Sequence, residues 1–394
     1  MKTLFESFHT IIALIIFIVP LNYSQDFEQF IRFPLQDSTK INYCESQPLV
    51  DNNEILIFYT QNNSPQDIIL LSKSSDNGLN WSTPITVANF DREATEIVFI
   101  SATITNTGRI LVVFSIGEVS TNNKTKIVHS DDNGLTWSSP QNVIGIVFIP
   151  YPRITQTIDG KLWIVGRINY FFYSNNDGDT WTSKNLGFST NITTSFDLIS
   201  LDSTNYLMTY DKYDSGNDES KIILRKSTDA GNSWSSETLI SENNIDEKHP
   251  RLFQESDGTI WLMTQKSEET PFSITYNIYE HNVSYRKSTD NGINWSQPTN
   301  FTNYIGKDAN HNTCGYNDKP LVTFLSDRWY GKNQIWIGLI GITQDNSNPP
   351  VVYQTEYSSN TIGVPITIRA YVGSFYGIQT VYLNYEKDNV TYGP

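Results

Sequence analysis

Ser74-Ser75-Asp76-Asn77-Gly78-Leu79-Asn80-Trp81 is the first of five copies of one pattern, Ser-x-Asp-x-Gly-x-x-Trp. The others run Ser130 to Trp137, Ser174 to Trp181, Ser227 to Trp234 and Ser288 to Trp295. Only the third departs, with Asn176 where the rest carry Asp76, Asp132, Asp229 and Asp290. Each position has a local physical job. The carboxylate accepts hydrogen bonds from backbone amides of its own turn, and the glycine (Gly78, Gly134, Gly178, Gly231, Gly292) supplies a backbone angle that other residues resist. The tryptophan (Trp81, Trp137, Trp181, Trp234, Trp295) pins the turn onto a sheet by burying a large ring.

Strand-like stretches flank every copy. Ile222 to Lys226 leads into the fourth, and Ser235-Ser236-Glu237-Thr238-Leu239-Ile240 follows its tryptophan, so the pattern is a hairpin turn. A second hairpin lies upstream, in Arg153 to Gln156 with Asp159 to Val165, and again in Arg251 to Gln254 with Asp257 to Met263, each with Asp-Gly as its turn signal. Each unit therefore holds four short strands in meander order. The copies recur 44 to 61 residues apart, the size of a propeller blade. Five such units and the stretch Asp308 to Ile342, which lacks the pattern, make six.

The sixth unit shows three strands, near Asn312 to Tyr316, Leu321 to Leu325 and Ile335 to Ile340. Phe27 to Leu35 precedes the first blade without a partner and is expected to close the ring as the outer strand of blade six, removing two unpaired sheet edges. Cys44 and Cys314, the two cysteines, fall in the innermost strands of blades one and six. They form either a disulfide across the seam, adding roughly 5 kcal/mol in the loop-entropy model, or two separate thiols. The fold expected is all-β: a six-bladed propeller over residues 25–345, followed by a short, incomplete β-sandwich-like segment.

At the N-terminus, Lys2 precedes the apolar run Ile11 to Val19, then Pro20 and a polar stretch to Gln25. Residues 1–24 read as a secretory signal, with an uncleaved anchor as the alternative. With sequons such as Asn123-Lys124-Thr125 and Asn191-Ile192-Thr193, this predicts an exported glycoprotein, secreted or at the cell surface. The run Thr343 to Pro350 is a linker, and within residues 346–394 the runs Val364 to Val372 and Ile378 to Tyr385 alternate at strand period, like the opening of an immunoglobulin-like module, shorter than the ~100 residues of a full one. The 27 basic against 42 acidic residues, a net charge of −15, oppose binding to nucleic acid. The five histidines show no ligand spacing, so neither a metal nor a cofactor is expected.

Repeats of Ser-x-Asp-x-Gly-x-x-Trp resemble the bacterial neuraminidase (Asp-box) repeat family, over about residues 27 to 342. The resemblance implies a sialidase-like propeller. A sialidase of that family is expected to hold its substrate's carboxylate with three arginines, to use an aspartate as acid/base, and to attack with a tyrosine paired with a glutamate. The first arginine comes from a Phe/Tyr-Arg-Ile-Pro stretch opening blade one. This chain has Tyr43-Cys44-Glu45-Ser46-Gln47-Pro48-Leu49 there, with the proline aligned and the arginine absent. Neither Cys44 nor Glu45 can make the paired charged hydrogen bonds of a guanidinium, and Glu45 repels a carboxylate.

Propellers gather their sites around the central channel. Arg153 after Tyr151-Pro152 and Arg251 after His249-Pro250 hold equivalent places in blades three and five. They serve either as ligands of an anionic sugar or as repeat features bonded to neighbouring blades. His249 and His311 stand beside them as further ligand-binding candidates. Glu93, Asp197, Asp246 and Asp308 are the candidate carboxylates for acid/base work. Arg225 and Arg286, each just ahead of a repeat, read as structural. The function expected is recognition of a glycan or other surface polymer without the standard sialidase mechanism. An exo-sialidase-like hydrolase or lyase with a rearranged site and a protein-binding scaffold are the alternatives.

Overall fold

The computed structural model describes residues 28–33 and most of 46–340. Within that span it omits 64–65, 92–97, 117–123, 146–147, 168–169, 186–192, 217–218, 243–244, 270–278, 303–306 and 330–331. Beyond it, residues 351–357, 368–373, 385–387 and 390–392 are described. The apolar run near the N-terminus, Cys44, Glu45 and Glu93 therefore lie outside the described residues.

Six four-stranded sheets follow one another along the chain, with consecutive strands antiparallel within each. A closing strand, β1 (Glu28–Arg32), comes first. Blade one is β2 (Ser46–Asp51), β3 (Glu54–Asn63), β4 (Gln66–Ser74) and β5 (Ile85–Asp91). Blade two is β6 (Val98–Ile104), β7 (Ile110–Ile116), β8 (Lys124–Ser130) and β9 (Gln141–Asn142). Blade three is β10 (Arg153–Gln156), β11 (Leu162–Val165), β12 (Tyr170–Ser174) and β13 (Thr182–Asn185). Blade four is β14 (Thr193–Ser200), β15 (Tyr206–Asp214), β16 (Glu219–Ser227) and β17 (Thr238–Leu239). Blade five is β18 (Asp246–Gln254), β19 (Ile260–Glu269), β20 (Tyr279–Ser288) and β21 (Thr299–Asn300). Blade six takes β22 (Asp308–Tyr316), β23 (Lys319–Trp329) and β24 (Lys332–Ile340) from the end of the domain, and its outer strand is β1. The innermost strands β2, β6, β10, β14, β18 and β22 each neighbour the next, and β22 meets β2, so the ring is closed. Pairing with β1 covers the outer edge of β24 at the seam.

The seam is held by packing as well as by pairing. Phe33, fully buried, stands edge-on to Trp81 (4.8 Å between centroids) and to Tyr59 (5.1 Å), and its amide donates to the Ile335 carbonyl at 3.0 Å. Tyr316 of blade six donates its hydroxyl to the Asn77 side chain of blade one.

The five repeated turns join the third and fourth strands of blades one to five. In the second, the Ser130 hydroxyl donates to Asp132 Oδ1 (2.8 Å) and accepts from the Gly134 amide (2.8 Å), while Asp132 Oδ1 accepts from the Thr136 amide (2.9 Å). Bonds from the residue four places on hold the carboxyls of Asp132, Asp229 and Asp290 down to about 2. Asn176 keeps this geometry, because its amide oxygen accepts from the Thr180 amide at 3.0 Å. Gly134, at φ +76°, lies so close to the preceding blade that a Cβ would fall 2.6 Å from Leu71 Cδ2. The position thus needs glycine both for its angle and for its space. The tryptophans pack between their own blade and the one before: Trp137 is edge-on to Phe58 of blade one at 5.9 Å, and Trp234 packs in the cluster of Trp163, Phe171 and Tyr206.

After the propeller, β25 (Val351–Tyr357) pairs antiparallel with β26 (Ile368–Gly373), and β27 (Tyr385–Lys387) with β28 (Val390–Tyr392). Of the two alternating runs, residues 364–367 and 378–384 lie outside the described residues, as do the boundaries at 24, 345 and 346.

Candidate functional site

Arg153 opens β10 and Arg251 lies within β18, and in both blades the chain reaches the arginine through a residue in the left-handed region followed by proline. Tyr151 has φ 51° before Pro152, and His249 has φ 55° before Pro250. Blade six repeats the device without the proline, at Asn310 (φ 52°) before His311 and Asn312. In blades five and six the strand pairing slips here, between Lys248 and Arg251 and between Ala309 and Asn312. Such a bulge adds one residue to one strand and re-aims the side chains that follow. Non-glycine residues at positive φ are strained, and structures retain them where a site is being shaped.

The side chains so aimed meet across the channel. Arg153 Nη1 donates to Gln47 Oε1 in blade one (2.5 Å) and to Asn312 Oδ1 in blade six (3.0 Å), and its Nε lies 3.4 Å from Asp197 Oδ1 in blade four. Arg251 Nε donates to the same Asn312 oxygen (2.7 Å), and its Nη1 to Ser195 Oγ (2.7 Å) and the Pro250 carbonyl (2.8 Å). Asn312 Nδ2 donates to the Ser46 carbonyl at 2.8 Å, and Asp197 Oδ2 accepts from the Leu252 amide at 2.7 Å. Blades one and six do not adjoin blade three, so the bonds from Arg153 to Gln47 and Asn312 can only run through the axis. Blade two joins through Ser101 Oγ, which accepts from the Ile154 amide at 3.1 Å. Arg153 and Arg251 retain 8% and 6% of their surface, so these bonds form in a poorly hydrated medium that strengthens them.

Beside this knot lies an aromatic row. Tyr151 is tilted on Phe99 of blade two (3.9 Å between centroids), and His249 approaches Tyr151 from blade five at 5.9 Å. Tyr151 and His249 are half-buried. Burial pushes the His249 imidazole down to about 4, with Arg251 and Lys248 adding to the effect and Asp211 opposing it. In the unfolded chain the ring protonates near its ordinary value of about 6.5. The folded state therefore binds fewer protons, and stability falls as pH drops from about 6.5 towards 4, then levels off. His281 and His311 are lowered in the same direction by burial. Between pH 7.5 and 5, His249→Gln should flatten the fall of the urea midpoint without abolishing it. Equal slopes in variant and wild type would show that His249 is not held neutral.

The structure thus brings Arg153, Arg251 and Asp197 together and sets His249 at their rim. The two arginines bond to other blades, Arg153 to blade four and across the axis to blades one and six, and Arg251 to blades four and six. His311, fully buried, stands where blades three and five carry proline, and the residue on the axis is its neighbour Asn312. Asp246 is occupied away from the axis, accepting from the Ser220 amide (2.7 Å) and pairing with Lys248 (3.0 Å). Asp308 is buried in β22. Arg225 bonds to Tyr210 and to the Ser235 carbonyl, and Arg286 pairs with Glu247, the structural roles expected of them. Cys314 sits in β22 as a free thiol whose pKa burial raises. Sequence reading missed Gln47, Ser195 and Asn312. Aligning Asn310-His311-Asn312 with Tyr151-Pro152-Arg153 would have found the last.

No family model matches the sequence. A curated sialidase of Clostridium perfringens is 29% identical over 35% of this chain and 47% of its own length, so the chain spans about half of the curated relative it matches. Among solved structures, a protein of unknown function from Dyadobacter fermentans superposes with a TM-score of 0.60 at 11% identity, over 80% of this chain and 98% of that one. Trypanosoma rangeli sialidase in complex with 2,3-difluorosialic acid superposes with a TM-score of 0.54 at 8% identity, over 79% of this chain and 59% of that one. Six closed blades, the repeated turns and these likenesses agree: the chain is a sialidase-like six-bladed β-propeller.

Proposed function

We propose that the chain is an exported protein that recognises glycans at the channel mouth and does not cleave them by the sialidase mechanism. The observation that carries this reading is the pairing of an aromatic row, the half-buried Tyr151 and His249 backed by the buried Phe99, with an axis whose carboxylate is already committed. A sugar ring lays its apolar C–H face on an aromatic ring, and the exposed ring edges leave its hydroxyls free for hydrogen bonds. A general acid needs a carboxyl able to hold and release a proton towards the ligand. Asp197 has one oxygen beside Arg153 and the other on the Leu252 amide, and is 4% exposed. The apolar run Ile11 to Val19 supports export.

The purified protein should bind members of an immobilised glycan panel and release nothing from fluorogenic glycosides, sialosides included. Tyr151→Ala should weaken that binding at least about tenfold, equivalent to about 1.4 kcal/mol. Turnover that disappears in Asp197→Asn would replace this reading with a hydrolase. Absence of any glycan binding would leave the scaffold reading.

A further inference from the structure

Two guanidinium groups facing one another make a receptor for a carboxylate or sulfate. In this channel the place between them is already taken. Asn312 Oδ1 accepts from Arg153 Nη1 at 3.0 Å and from Arg251 Nε at 2.7 Å, and its Nδ2 is anchored on the Ser46 carbonyl at 2.8 Å. The carboxamide oxygen therefore holds the position in which one oxygen of an anion would bridge the two arginines.

The remaining donors do not restore a receptor. A guanidinium grips an anion with two parallel N–H groups, either Nε with Nη2 or Nη1 with Nη2. In Arg153, Nε faces Asp197 and the two Nη1 hydrogens go to Gln47 and Asn312. In Arg251, Nε goes to Asn312 and the two Nη1 hydrogens to Ser195 and the Pro250 carbonyl. Each arginine has thus lost one member of both gripping pairs. An anion entering here must also displace bonds at residues 3% to 8% exposed, where an unpaired group is costly.

We infer that Asn312 is an internal ligand filling the anion position between Arg153 and Arg251, so that the mouth accepts neutral sugars and rejects acidic ones. This rests on the reading of the mouth as a glycan site. It adds a specificity-determining residue outside the aromatic row. A neutral sugar needs no charged clamp, whereas an acidic one would leave its carboxylate partly desolvated without a fork to receive it.

The test uses matched sugars that differ only at C6, methyl glucoside with methyl glucuronide and methyl galactoside with methyl galacturonide. Inorganic sulfate serves as an anion probe read by thermal unfolding, with Asn312→Ser as the variant. Wild type should prefer the neutral member of a pair at least about tenfold and show no saturable rise in melting temperature with sulfate. Asn312→Ser, which withdraws the acceptor from between the arginines, should narrow the preference and acquire a saturable sulfate response that Arg251→Ala removes. Wild-type preference for the acidic sugar, or a saturable sulfate response of wild type, would overturn the inference. Should no sugar of either kind bind, the glycan reading falls while the sulfate comparison still decides the role of Asn312. Should Asn312→Ser not fold, the two wild-type measurements decide it alone.

Discussion

Arg286→Met is expected to lose about 3–5 kcal/mol of stability, read as a lower urea midpoint by tryptophan fluorescence. Arg286 on β20 and Glu247 on β18 lie on either side of β19, with Nη1 2.5 Å from Oε1 and side chains 2% and 0% exposed. Thr264 on the intervening strand adds its hydroxyl to the same Oε1 at 3.1 Å. Without the guanidinium, a buried carboxylate keeps a single neutral donor among the described residues and loses its countercharge. The sequence placed Arg286 beside a repeated turn and marked it as structural; its partner is what makes the role large. Adding Glu247→Leu to Arg286→Met should recover most of the loss, because a buried ion pair exchanged whole for apolar side chains is often neutral. A single variant within about 1 kcal/mol of wild type would mean that water reaches the pair.

Arg153→Ala should be comparably damaging, at about 3–5 kcal/mol, for a different reason. It removes one side chain but releases acceptors on three blades at once: Gln47, Asn312 and Asp197. Arg109 gives the contrast. It also ties two blades, bonding Asp131 (2.7 Å) and Asp179 (2.7 Å), but those carboxylates are 59% and 63% exposed. Exposed pairs are worth about 0–1 kcal/mol, so Arg109→Ala should shift the urea midpoint only slightly. Equal losses in the two variants would show that the axial bonds have no special weight.

The division between what the sequence revealed and what it concealed follows from the range of the interactions. The repeated turns are local: Ser130, Asp132, Gly134 and Thr136 bond within seven residues of chain, so their chemistry is visible in a short string. Blade number followed from counting them and adding the stretch Asp308 to Ile342, which lacks one, and the closing role of Phe27 to Leu35 from the need to pair two edges. The site is the opposite case. Asn312 meets Arg153 and Arg251 from 159 and 61 residues away, and only the alignment of its segment with that of Arg153 points to it. Proline flags the left-handed residue in blades three and five, but blade six carries His311 at that place, and histidine draws attention that belongs to its neighbour. The slip of pairing between Ala309 and Asn312 then settles which side chain reaches the axis. A one-residue change of register is just what residue-by-residue reading cannot resolve.

Crystals grown in acetate or sulfate would test the axial knot most directly. The account predicts density for Asn312 Oδ1 within hydrogen-bonding distance of both Arg153 Nη1 and Arg251 Nε, with no anion between the guanidinium groups. An acetate or sulfate gripped by the two arginines, with Asn312 turned aside, would contradict it.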